Sequence, residues 1–132
     1  GKMAMGNPQI NLDRLAAQYA QKIIKKTSGD KPADVKNTVT KALGILQENG
    51  IYACFLYLLA KEGERGRVIV GEMLDLIDRL GFGWDKPDSN DVEGVLSYVS
   101  EKVTADMERM LLIKEVLEQM LIYARYGADA RG

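Results

Sequence analysis

The sequence contains no histidine. That absence removes the Ser-His-Asp triad, the Cys-His nucleophile pair, the three-histidine zinc site and the Glu-x-x-His di-iron bundle together. Cysteine is almost as scarce. Cys54 stands alone, so no disulfide can close within the chain. Its neighbours in Ile51-Tyr52-Ala53-Cys54-Phe55-Leu56-Tyr57-Leu58-Leu59-Ala60 include no base or cation to activate a thiolate, and it reads as a core residue. That run is the longest apolar stretch, and its ten residues are half of the roughly 20 that cross a bilayer. The opening Gly1-Lys2-Met3-Ala4-Met5-Gly6 lacks the apolar stretch of a signal peptide. A cytoplasmic protein with no membrane partner is expected. An excess of charge of either sign is missing too: 18 basic against 19 acidic residues leave a net charge of -1. This excludes a globally basic nucleic-acid coat and a supercharged acidic tail.

What is present is helical periodicity, over 132 residues, the size of one domain. Leu12, Leu15, Ala16, Tyr19, Ala20 and Ile23 paint one face of a first helix, which Thr27-Ser28-Gly29-Asp30 ends. Pro32 belongs in the first turn of a second, striped by Val35, Val39, Ala42, Leu43 and Leu46 and stopped by Asn49-Gly50. The apolar run is a third helix. With almost no polar face, it is expected at the centre of the bundle. Arg67-Val68-Ile69-Val70 has the β-branched residues of a strand. Val70, Met73, Leu74, Ile77 and Leu80 nevertheless continue in helical register, and a fourth helix is expected to end at Gly81. The next segment, Gly81-Phe82-Gly83-Trp84-Asp85-Lys86-Pro87, is a loop. Asn90 and Glu93 have capping-box spacing before a fifth helix through Val92, Leu96, Val99 and Val103. A long closing helix runs from about Ala105 to Tyr126. The expected fold is all-α: a compact bundle of about six helices with a buried central apolar helix. Residues 11–127 form its single domain, residues 1–10 read as a disordered or tag-derived N-terminus, and residues 128–132 read as a C-terminal tail.

The charge is unevenly spread. Residues 1–66 carry ten basic and six acidic side chains, and the remainder eight and thirteen. On the first helix Arg14, Gln18, Lys22 and Lys25 follow at intervals of four, four and three residues, a basic stripe suited to a phosphate backbone or to a solvated face. Lys26 and Lys41 join them as candidate phosphate contacts. Glu72, Asp75 and Asp78 share a side of the fourth helix, where a solvated face is favoured over a metal site. Asp85, Asp88, Asn90, Asp91 and Glu93 fail the calcium-loop spacing and read as helix caps. Gly63-Glu64-Arg65-Gly66 matches a bare G-x-x-G but lies between helices, so it reads as a turn and not as an RNA clamp. Phe82 and Trp84 are candidate anchors for a protein partner, or rings folded back over the bundle end. No cofactor, metal ligand set, catalytic residue or small-molecule substrate is indicated.

Asn49-Gly50-Ile51, followed by an apolar helix closing as Tyr57-Leu58-Leu59-Ala60-Lys61, resembles the small-subunit family of type III-B CRISPR effector complexes, the Cmr complexes. In that family a helix ends near Asn-Gly-Leu, and a buried helix then closes with aromatic-Leu-x-x-Lys. Leu117 through Leu121 to Arg125-Tyr126 also resembles the family's last helix, which ends in a basic-Arg-aromatic step. The resemblance spans residues 11–127 and rests on these two stretches. Ile51 stands for the usual Leu, Tyr52 for a small residue, and Ala124 for the first basic residue. The pI of about 5.5 also departs from it.

The resemblance implies a noncatalytic structural subunit in antiviral defence. Its partners would be other Cmr subunits, namely the backbone subunit and copies of itself by stacking, and the guide and target RNA whose groove the family lines. Lys61 and Arg125 are the nucleic-acid-binding positions that carry over from the motifs. The rival expectation is a helical protein-interaction or adaptor domain with no RNA role, anchored by Phe82 and Trp84.

Overall fold

The computed structural model describes residues 11–132, so the expectation for residues 1–10 lies outside the described residues. The first helix, α1 (Leu12–Lys26), starts where the Asn11 side chain accepts from the Arg14 amide at 3.1 Å. It buries Leu15, Ala16, Tyr19, Ala20 and Ile23. Pro32 opens α2 (Pro32–Asn49), its fixed φ suiting a first turn that has no intrahelical use for an N–H. Gly50 then serves as the last cap of α2 and the first of α3 (Ile51–Lys61). At φ 101° and ψ -177° its backbone lies where glycine alone is comfortable, so Asn49-Gly50 works through its glycine.

The β-branched segment lies within α4 (Gly63–Arg79), as its helical register predicts. After the 81–91 loop comes α5 (Val92–Tyr98), continued by a π-helical stretch over Val99–Val103. Of the candidate caps its cap is Asp91, which accepts from the Gly94 amide at 3.0 Å, and not Asn90 of the capping-box spacing. Asn90 instead donates its amide to Asp88. Two of the acids once weighed as a calcium loop are thus backbone acceptors.

The closing helix α6 (Met107–Arg131) lies against both α1 and α2. Its length corrects the expected C-terminal tail. Gly127 does not stop it, Ala128 is buried, and Arg131 donates to the carbonyl oxygens of Ile24, Thr27 and Asp30 at 3.4, 3.2 and 2.5 Å. Ile24 is in the last turn of α1 and Thr27 and Asp30 follow it, so a cation at this negative helix end adds a donor, beside the Asp30 amide that already serves the Thr27 carbonyl, and holds the last turn of α6 in place.

The central helix α3 packs on α2, α4 and α5 through Cys54, Phe55 and Leu58, all fully buried. It is not enclosed all round, because Tyr52 and Leu56 are 41% and 43% exposed. The G-x-x-G glycines have separate structural tasks. Gly63 takes φ 58° at the start of α4, and Gly66 lets α4 approach α3 so closely that a Cβ there would sit 2.1 Å from the Leu58 carbonyl oxygen. Backbone cannot yield as a side chain can. Gly66→Ala is therefore expected to cost at least about 1–3 kcal/mol of unfolding free energy in urea. Gly44→Ala, where a Cβ meets nothing within 4 Å, should raise it by about 0.5–1 kcal/mol.

Candidate nucleic-acid interface

The basic residues singled out from the sequence do not form one continuous surface by element. Arg14, Lys22, Lys25 and Lys26 lie on α1, Lys41 on α2, Lys61 at the end of α3 and Arg125 on α6. Arg14, Lys22, Lys25, Lys41 and Lys61 are exposed, and none has an ion-pair partner among the described residues. The Lys22 ammonium stands 4.4 Å from the centroid of the Tyr19 ring, which leaves its outer donors to solvent. Arg125 is half-buried, with its guanidinium 5.5 Å from the Tyr126 ring centroid.

Lys26 is different. Its ammonium pairs at 2.5 Å with Glu72 of α4, whose side chain is only 3% exposed. This overturns the reading of Glu72 as part of a solvated face. Lys26 at the end of α1 and Ser89 in the 81–91 loop help line a cleft of about 460 Å³ beside it. The hydrogen bond that Lys26 donates to Glu72, with the charges of Glu72 and Asp75, holds the Lys26 pKa above the ordinary lysine range against an opposing loss of hydration. At the other side of the cleft Lys86 donates to Asp75, and the same kind of bond raises its pKa. These two lysines are committed to carboxylates, so the exposed face of α1 narrows to Arg14, Lys22 and Lys25.

Phe82 and Trp84 are half-buried, with ring centroids 4.9 Å apart, and Trp84 meets Tyr98 edge-on at 6.1 Å. The Arg109 guanidinium of α6 lies 5.1 Å from the Phe82 ring. The rings pack against the core, so they do not project as free anchors; among the described residues the large exposed apolar side chains are instead Tyr52, Leu56, Val92, Met107, Leu111 and Tyr126.

Cys54 is sealed in the core, where its Sγ donates to the Ala42 carbonyl oxygen at 3.5 Å. Burial pushes its pKa from 9.0 up to about 12, so it has no thiolate chemistry near neutral pH. A folded-state pKa above the unfolded value gives stability that is full below pH 9.0 and lost as the pH rises toward about 12. Cys54→Ala is expected to flatten this alkaline loss. The check is urea unfolding of both proteins across that window, and parallel profiles would contradict it.

Sequence reasoning missed a groove of about 370 Å³ between α1 and α6, bounded in part by Ala17, Ile24, Tyr123 and Gly127. The faint signal was a glycine in mid-helix: a Cβ at Gly127 would come within 3.0 Å of Ile24 Cγ1, so the backbone there approaches α1 closely. The chain matches no protein-family model, no curated protein and no solved structure.

Proposed function

We propose that the protein is a noncatalytic structural small subunit of a type III-B CRISPR ribonucleoprotein of the Cmr kind. In this reading it stacks along a guide-RNA backbone filament in the cytoplasm and presents its basic helix to the RNA groove. The supporting observation is the coincidence of motif and geometry at Asn49-Gly50-Ile51. The resemblance depends on that step, and the fold uses it as a single-residue joint between α2 and the apolar helix that closes at the exposed Lys61. The exposed cations of α1 supply a local anion surface on a molecule of net charge -1.

The experiment is to tag the chain in its source cells, purify it gently, and sequence the RNA and proteins recovered. Guide RNAs with larger repeat-fold subunits are the expected outcome. In vitro, the logarithm of RNA affinity should fall linearly with the logarithm of salt. Replacing Lys25 by Gln should reduce that slope by about one without altering sequence preference. An unchanged slope in Lys22 and Lys25 variants would remove α1 as the contact. A protein-interaction domain without RNA is the second reading, favoured by the exposed Tyr52 and Leu56 on α3. Recovery of a protein partner with no RNA would put it first.

A further inference from the structure

The groove between α1 and α6 lies beside the basic stripe of α1. Ala17 and Ile24 border it, while Gln21 and Lys25 of the same helix are exposed at its edge. Arg14 and Lys25 follow the adjoining helix face, while Lys22 is turned onto the Tyr19 ring, so the apolar slot adjoins two exposed cations. From α6, Tyr123 lines the slot. Its hydroxyl donates to the Asp13 carboxylate on α1, which ties the ring between the helices and reduces the ordering cost of packing a ligand against it. The neighbouring hollow toward the start of α1 is lined by Asp13 and Glu115, and its charge would repel a polyanion. Phosphates are thereby directed to the Lys25 end.

An aromatic wall beside a cationic track suits single-stranded nucleic acid, because every base has a π-face to stack and every linkage carries an anion. A groove of about 370 Å³ has room for a nucleobase. We propose that this groove takes one unpaired base of a single-stranded RNA, packed against Tyr123, with a flanking phosphate on Lys25. The inference rests on the RNA reading above and makes it specific: an unpaired strand, not a continuous duplex, is what α1 and α6 hold together.

The test uses the intact chain and a short single-stranded oligouridine carrying one central 2-aminopurine, whose fluorescence falls when the base stacks. The wild type should bind with quenching and should discriminate against the same strand in a duplex. Ala17→Leu fills the groove and leaves every charge in place; it should weaken binding about tenfold and abolish quenching with the salt slope unchanged. Tyr123→Leu should do the same by removing the ring, and provides an independent variant should the larger residue at 17 unfold the protein. Lys25→Gln should keep the quenching and lose slope. No RNA binding by the wild type would overturn the RNA reading itself. Binding without quenching, unchanged affinity in both groove variants, or equal affinity for duplex would overturn the slot alone.

Discussion

Replacing Phe55 by alanine is expected to lower the unfolding free energy by about 3–5 kcal/mol. Phe55 is fully buried and heads the large side chains of the core, on the helix that joins α2 to α4. The loss combines the transfer of the ring into water with the cavity that its rigid neighbours leave behind. For a domain whose whole stability is about 5–15 kcal/mol, the variant should sit near its folding threshold. Leu56→Ala, one residue on, should cost well under 1 kcal/mol, because a side chain 43% exposed leaves no sealed cavity. Urea unfolding of the two variants side by side is the measurement. Similar losses would mean that the outer stripe of α3 is covered in solution by another chain.

That contrast shows where sequence reading stops. Periodicity placed α1, α2 and α4 because each has a polar face opposite an apolar one. In α3 no residue from Ile51 to Ala60 is charged, so the pattern carries no phase, and which side meets solvent depends on where α2, α4 and α5 lie. The expected end of the closing helix at about Tyr126 falls just before Gly127, a residue type that often ends a helix. Here it serves close packing against Ile24, and the helix continues until Arg131 reaches the carbonyls beyond α1. The folded-back rings of Phe82 and Trp84 were an open alternative in the sequence, since loop residues have no periodicity to orient them. The exposed stripe of Arg14, Lys22 and Lys25 was legible, being local to one helix. The groove beside it required two helices more than a hundred residues apart in sequence to meet, as the bond from Tyr123 to Asp13 records.

The same nonlocality separates Lys26 from its neighbours, and its effect on stability should be large. Lys26→Met is expected to cost about 2–3 kcal/mol, because it strands a carboxylate that burial has already desolvated. Two estimates compete here. The lysine side chain is 55% exposed, and an exposed ion pair contributes at most about 1 kcal/mol. Glu72 decides between them. Its side chain is 3% exposed, Oε1 has no hydrogen-bond partner among the described residues, and Oε2 would lose the 2.5 Å bond that it has. The double variant Lys26→Met/Glu72→Leu should recover most of the loss, since removing both partners of a buried pair is far less costly than removing one. A double-mutant cycle in urea measures the coupling, and a value below about 0.5 kcal/mol would show Glu72 to be compensated by other means. The pairing also sets a limit on the RNA surface. Moving Lys26 to a phosphate would uncover Glu72, so this lysine should add nothing to the counterion slope. Lys26→Met, assayed below its melting temperature, should bind RNA with the wild-type slope, whereas Lys25→Gln, one position away, should lower it by about one.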